Sequence, residues 1–224
     1  MKILISGITM AAAGTERSFL TYAESLDCEN NEITLLLAEK SGALLPYIPD
    51  GIKTEEMKSG GALFTMNGKN AKSVLLREFV LRHPLCALKA ARYLPLYIRN
   101  RGFAAMRILL CAMRSLPPFD GEYDEAVAYW GDKTMFFVAD KVRAKKKTAW
   151  LHFEYDYPPR EDALYGEYFE KFDSIVCVSR RSVEMLREKF PHIAGRFTYL
   201  ENETNESLVR QLGEAPCPEM ETAA

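Results

Sequence analysis

The chain has 224 residues, of which 48% are hydrophobic and 27% charged, and its formal net charge is −2. That much apolar material supports a large core and excludes a disordered chain. The near-neutral balance names no partner by itself, and no apolar run is long enough to span a bilayer. Five scattered cysteines without a C-x-x-C pair, and three histidines far apart, point to free thiols in a reducing cytoplasm and away from a zinc site.

The first predicted element is a buried strand over Lys2–Ser6. Lys2 followed by ILISGITMAAAG also has the outline of a short signal peptide, but Ser6, Gly7 and Thr9 interrupt the apolar run, which favours the strand. A helix follows over Thr15–Leu26, with Phe19, Leu20, Ala23 and Leu26 on one face. Strands are predicted over Glu32–Ala38 and Asp50–Met57. A helical region spans Ala71–Leu116, broken near Pro84, near Pro95 and at Gly102. Then come a strand at Glu125–Trp130, a helix at Lys133–Val142, a strand at Lys147–His152 and a helix at Leu164–Phe172. The last unit, Phe172 to Asn202, reads FDSIVCVSRRSVEMLREKFPHIAGRFTYLEN. It divides into a strand at Ser174–Ser179, a helix carrying Val183, Leu186 and Phe190 that Pro191 stops, and a strand at Phe197–Leu200. Strands alternating with helices predict an α/β fold, a Rossmann-like, mostly parallel sheet with helices on both faces and a helical insertion. One domain is expected over 1–205, with the insertion at about 69–116 and a frayed tail over 206–224.

Charge is distributed unevenly. From Lys69 to Arg114 there are ten Lys or Arg and one acid, Glu78, between two acidic flanks. Phe103, Met106, Leu110 and Met113 form an apolar stripe with Arg107 and Arg114 off it, and Phe79, Leu85 and Leu88 extend it. This pattern suits the anionic face of a membrane, or a helical hairpin packed on the sheet with solvated arginines. Nucleic-acid binding ranks last, since no motif for it is present.

Ligands of such sheets bind beyond the carboxyl ends of the strands, so candidate residues are sought there. Gly14 and Thr15 open the first helix, whose free N–H groups suit a phosphate; alternatively Gly14 only starts the helix. His152 closes a strand, and a neutral imidazole there can hydrogen-bond a sugar hydroxyl or a phosphate oxygen. In an extended backbone His152, Glu154 and Asp156 share one face, which admits a metal site, while the plainer reading is a capping histidine and two solvated acids. Trp130 and Gly131 end another strand, where the indole can stack on a sugar or be buried. Ser179 and Arg180 follow the next, and Arg180 can meet an anionic acceptor or be solvated. Glu39, near the end of the second strand, can meet a ribose, but the glycine fingerprint of a nucleotide-dependent oxidoreductase is missing.

The loop Gly14-Thr15-Glu16-Arg17, the segment Trp150-Leu151-His152 and the closing strand–helix–strand unit appear in an order that resembles the N-terminal, acceptor-side domain of GT-B glycosyltransferases of family 4. Ala13 stands where that family usually carries a first glycine, and Arg180 where it carries an acid. The resemblance implies that Gly14, Thr15 and Glu16 face the nucleotide-sugar diphosphate and that His152 lies near the transferred sugar. It also implies that Trp130, Gly131, Glu154, Ser179 and Arg180 sit on the substrate side. It implies transfer of a sugar from a nucleotide-sugar to a glycan or lipid-linked acceptor, with no bound metal and no cofactor held by this chain. The donor is then bound by a second, C-terminal domain. Because about twenty residues follow Asn202, the chain is expected to be a fragment, a truncated product or half of a split enzyme. It is expected to be inactive alone and cytoplasmic, reaching the inner membrane face through the basic segment. A non-catalytic scaffold at a membrane surface is the alternative.

Overall fold

Apolar residues alternate with apolar residues along the strands, so both faces of each must be covered, and a parallel sheet between helical layers is the arrangement that does so. In the computed structural model, which describes residues 1–201, this is what forms. In chain order the elements are β1 (Lys2–Gly7), α1 (Gly14–Glu24), β2 (Glu32–Leu37), β3 (Ile52–Glu56), α2 (Gly61–Thr65), α3 (Ala71–Leu75), α4 (Pro84–Ala90), α5 (Leu94–Arg99) and α6 (Arg101–Ser115). They continue with β4 (Glu122–Ala128), α7 (Asp132–Lys141), β5 (Arg143–Leu151), α8 (Asp162–Phe169), β6 (Ser174–Cys177), α9 (Arg180–Lys189) and β7 (Phe197–Tyr199). The expectation of a tail over 206–224, and Cys217, lie outside the described residues.

All seven strands are parallel, in the order β3-β2-β1-β4-β5-β6-β7. Leu4, Leu36, Ala126, Ala128, Ala149, Leu151 and Ile175 face one layer, built from the segment between β3 and β4 together with α7, α8 and α9. Ile5, Leu35, Leu37, Val127, Tyr129, Trp150 and Val176 face the other, where α1 packs through Phe19, Leu20 and Ala23. Helices therefore cover both faces, as the alternation of elements predicts.

Three boundaries depart from expectation. β4 spans Glu122–Ala128, so Tyr129 and Trp130 lie past its end. β5 begins at Arg143, through a polar stretch that reads as loop; pairing Glu122 with Arg143 and Glu125 with Lys146 makes it strand, with ion pairs Lys145–Asp124 at 2.6 Å and Lys146–Glu125 at 3.0 Å. The last break of the insertion is at Asn100, whose side chain accepts a hydrogen bond from Phe103 N at 3.1 Å and caps α6.

The apolar stripe read along α6 is likewise revised. Leu110 and Met113 are buried with Ala104, Leu109 and Ala112, so that half of the stripe packs inward, while Phe103 and Met106 are only partly covered. No helix among the described residues is long and apolar enough to cross a bilayer.

Lysine ammonium groups tie the helical layer together. Lys141 donates to the carbonyls of Arg114 and Leu116 at the end of α6, and Lys147 to Val138 and Ala139 in α7. Lys133 donates to Phe64 O at 2.7 Å and Met66 O at 3.1 Å, at the end of α2. Each places positive charge where helix carbonyls are left over. Lys133→Met should therefore cost about 1–3 kcal/mol in urea unfolding, because two carbonyls lose a charged donor; an unchanged midpoint would mean that water replaces it freely.

Candidate functional site

β1 hands on to β2 on one side, and β4 continues the sheet on the other, so the strand order reverses between β1 and β4. The crevice at the carboxyl ends beside that reversal is where open α/β sheets bind ligands. Four segments meet this edge: the loop from Gly7 to Ala13, Tyr129–Gly131, His152–Arg160, and Val178–Ser179.

Aromatic rings fill the side of the crevice that faces α1. The His152 ring stacks on Trp150 at 5.6 Å with an interplanar angle of 11°, and lies 4.6 Å from Tyr129. Tyr129 packs in turn on Phe19 and Tyr22 of α1, and its hydroxyl is 2.9 Å from Ser18 Oγ. Trp130 continues the cluster at 4.9 Å from Phe19. Its ring lies against Gly7, where a Cβ would approach the indole and Leu37 to 2.9 Å.

Burial sets the chemistry. It pushes the His152 pKa down to about 4, so the imidazole is neutral near pH 7. It pushes the Tyr22 hydroxyl up to about 12 and raises Tyr129 as well. Neither ring nitrogen of His152, nor Trp130 Nε1, has a hydrogen-bond partner within the described chain. Buried polar atoms nearly always have partners, so two such side chains at a ligand-binding edge are informative.

The segment after β5 is held by Arg160. Its guanidinium pairs with Asp132 at 3.0 Å, lies 3.7 Å from the centre of the Phe153 ring, and donates to Glu154 O at 3.1 Å and Tyr155 O at 2.9 Å. Phe153 sits over Gly131, whose φ of +78° suits glycine and where a Cβ would meet the ring at 2.9 Å. Arg160 and Gly131 thereby fix the backbone that presents His152.

The expected residues fall into two groups. Gly14, Thr15, Trp130, Gly131 and His152 share the carboxyl edge, linked through Ser18, Phe19 and Tyr129. Gly14 is exposed, and a Cβ there would touch nothing, so packing does not demand glycine. Ala13 precedes α1 in an extended conformation without a side-chain cap, which leaves the helix N–H groups open. Glu16, only 7% exposed, already sets a carboxylate in that first turn, which complements the helix dipole and opposes an anion.

The second group is engaged elsewhere. β5 stops at Leu151, so His152, Glu154 and Asp156 do not share a face. Glu154 accepts from Ser182 Oγ at 3.4 Å, and Asp156 pairs with Lys189 at 2.9 Å. No group of three or more His, Cys, Asp or Glu among the described residues is placed to hold a metal ion. Ser179 caps α9 by accepting from Ser182 N at 3.4 Å, and Arg180 lies 4.5 Å from the ring centre of Tyr199, towards the β7 edge. Glu39 follows β2, in a separate polar cleft of about 320 Å³ with Glu56, Glu78 and Arg82.

Sequence reasoning misses Phe19, Tyr22, Tyr129, Asp132 and Arg160. Tyr129 was legible as the aromatic residue before Trp130; Arg160 gives no signal beyond following two prolines. A cleft of about 230 Å³ opens beside the ring cluster, lined by Ser18, Thr21, Tyr22, Ser25, Tyr129, Trp150, Leu200 and Glu201. The hydroxyls of Ser18, Thr21 and Tyr22 on α1 and of Ser25 just past it, with the rings of Tyr22, Tyr129 and Trp150, give it the lining that carbohydrate rings favour.

The sequence matches no protein-family model and no curated protein sequence. Among solved structures it is similar to HepE of Anabaena in complex with UDP and glucose, at 15% identity and a TM-score of 0.47, covering 95% of this chain and 50% of that one. HepE in complex with UDP-glucose is similar at 14% identity and a TM-score of 0.44, with the same coverage. The chain thus spans about half the length of these neighbours. Neither likeness bears on what this chain binds, and the fold rests on the strand order given above.

Proposed function

We propose that this chain is the acceptor-side domain of a GT-B glycosyltransferase, similar to family 4, which passes a sugar from a nucleotide-sugar to a glycan or lipid-linked acceptor. A second domain of the kind that completes a GT-B fold holds the nucleotide. The observation that carries the reading is His152: a neutral, buried imidazole with two unpartnered nitrogens, at the carboxyl edge beside the strand-order reversal and a hydroxyl- and aromatic-lined cleft. A neutral imidazole can accept from an acceptor hydroxyl at one nitrogen and donate to a sugar or phosphate oxygen at the other. Trp130 Nε1 adds a second donor. Such fixed donors, aimed where charge grows on a departing diphosphate, stabilise the transition state more than the ground state. His152 Nδ1 and Nε2 are covered in the free chain, so ligand entry requires the segment after His152 to shift. Gly14 and Thr15 supply N–H groups on the same edge, and Trp130 and Gly131 border the acceptor.

Both tryptophans of the chain belong to the ring cluster, so intrinsic fluorescence reports directly on it. Acceptor oligosaccharides should change that emission, and the chain alone should not turn over a nucleotide-sugar. Mixing with a separately expressed donor domain should restore transfer, and His152→Ala should lower the restored rate by roughly 100-fold or more. Turnover by the isolated chain, or full activity of the His152→Ala mixture, would overturn the reading.

A further inference from the structure

Among the described residues, the buried side-chain polar atoms that meet no partner are Ser6 Oγ, Trp130 Nε1, both ring nitrogens of His152 and the Tyr165 hydroxyl. Ser6 lies within β1, and Trp130 and His152 belong to the ring cluster at the carboxyl edge. Tyr165 is left over. It is 1% exposed, near the start of α8, and its ring packs on Phe136 and Tyr155. Burial, and after it the Asp132 carboxylate, raise its pKa, so the hydroxyl stays protonated and keeps a donor to offer. A buried hydroxyl that meets nothing is uncommon enough to require an account.

Tyr165 helps to line a cavity of about 120 Å³. Phe103 and Met106 of α6, with Pro158, Pro159 and Leu164, make its apolar wall. Its charged residues, Asp132, Arg160 and Glu161, are neutralised in pairs: Arg160 with Asp132 at 3.0 Å, and Glu161 with Arg107 at 2.9 Å. Arg160 also donates to the carbonyls of Glu154, Tyr155 and Pro158. The lining therefore offers no net charge to an anion or a cation. The Asp132 carboxylate is 20% exposed and has lone pairs to spare. Asp132 directly follows Gly131, so the cavity adjoins the carboxyl edge. It lies on the α6 and α8 side of the sheet, across from the ring cluster.

We infer that this cavity holds the acetamido group of an N-acetylated sugar in the acceptor, with the methyl against the apolar wall, the carbonyl oxygen accepting from the Tyr165 hydroxyl and the N–H donating to Asp132. The inference rests on the acceptor-side reading and names the acceptor's chemical class. Size, charge and lining select this group. The space is several times the share of one water molecule, about 30 Å³, so a bare sugar hydroxyl would leave much of it empty. Paired charges give a phosphate, carboxylate or amine no counter-ion, and burying such an ion unpaired is costly. A neutral amide brings one acceptor and one donor, which answer the Tyr165 donor and the Asp132 acceptor, and its methyl suits the apolar side chains. The hydroxyl is covered in the free chain, so the group enters with a local shift of the wall.

Saturation-transfer NMR of the full chain with N,N′-diacetylchitobiose and with cellobiose tests it, since the two disaccharides differ only in carrying acetamido groups or hydroxyls. The acetylated sugar is expected to bind at least about tenfold more tightly, with its methyl protons taking up the most saturation. Tyr165→Phe should weaken that binding by about tenfold. Its thermal midpoint should stay at the parent value or rise, because an unpartnered buried hydroxyl is removed; a purely structural Tyr165 would not lose binding while keeping stability. Met106→Phe, which narrows the cavity and leaves Tyr165 intact, should weaken binding as well. Equal binding of the two sugars, or parental binding by both variants, would overturn the inference and leave the acceptor-side reading standing. Failure of both sugars to bind would overturn it too, and transfer restored by a donor domain onto a different acceptor would then keep that reading.

Discussion

His152→Phe should make the chain more stable at pH 8, by about 1–3 kcal/mol, because two buried nitrogens without partners give way to carbon. It should also flatten the acid limb of the stability curve. The pKa of His152 falls from 6.5 to about 4 on folding, through burial. Below pH 6.5 the unfolded chain takes up a proton that the folded chain refuses until about pH 4, so this group's contribution is complete above the unfolded pKa and is lost progressively as pH falls to the folded one. The loss amounts to about 3 kcal/mol across that window. Urea melts of both proteins at pH 8 and pH 4.5 give the measurement: the variant should lose less stability on acidification, by most of that amount. Parallel losses would mean that His152 is reached by water and titrates normally. A gain in stability together with loss of transfer would mark the residue as one kept for chemistry and not for packing.

Gly42→Ala should have the opposite effect, destabilising the chain by at least about 3 kcal/mol. Gly42 has φ +119°, and a Cβ there would fall 2.1 Å from the Met10 carbonyl carbon and 2.2 Å from its oxygen. The obstruction is backbone, and it is pinned: Met10 N donates to Ser41 O, and Leu44 N to Met10 O, each at 2.8 Å. Met10 itself is fully buried. Relief would require displacing the loop that leads from β1 into α1, and with it Gly14. Gly14→Ala is the contrasting variant, because a Cβ at that position touches nothing; there a gain of up to about 1 kcal/mol is expected from the less flexible unfolded chain. Equal effects at the two glycines would contradict the packing described.

The sheet was legible because runs such as KILIS, EITLLLA and DSIVC are apolar on both sides and separated by helical spacing. Strand ends were less so. Whether Tyr129 and Trp130 belong to β4 depends on where its neighbours stop, and the polar first half of β5 becomes strand only through pairing with β4. The position of His152 at the edge followed from its place after an apolar strand, and its neutrality from burial. The shared face expected for His152, Glu154 and Asp156 failed because the chain turns after Leu151, a turn that Arg160 holds from several residues away. Side-chain ties of that kind leave no periodic trace in a sequence. The basic segment was recognised as amphipathic, with a membrane face and a packed hairpin both open: Leu110 and Met113 of α6 and Phe79 pack inward, while Leu85 and Leu88 of α4 stay exposed.

The connection from β3 to β4 must in any case travel from one margin of the sheet to its middle, passing over β2 and β1. Extra residues in a path that is already long add little closure entropy. Between Asn67 and Asn100, Val74, Glu78, Phe79 and Ala90 are the side chains that become buried. A transplant of this stretch that preserves those anchors and the Asn100 cap should leave strand register untouched. The region can thus change its outward character rapidly, by drift or by design, while the nucleus of the domain stays as it is.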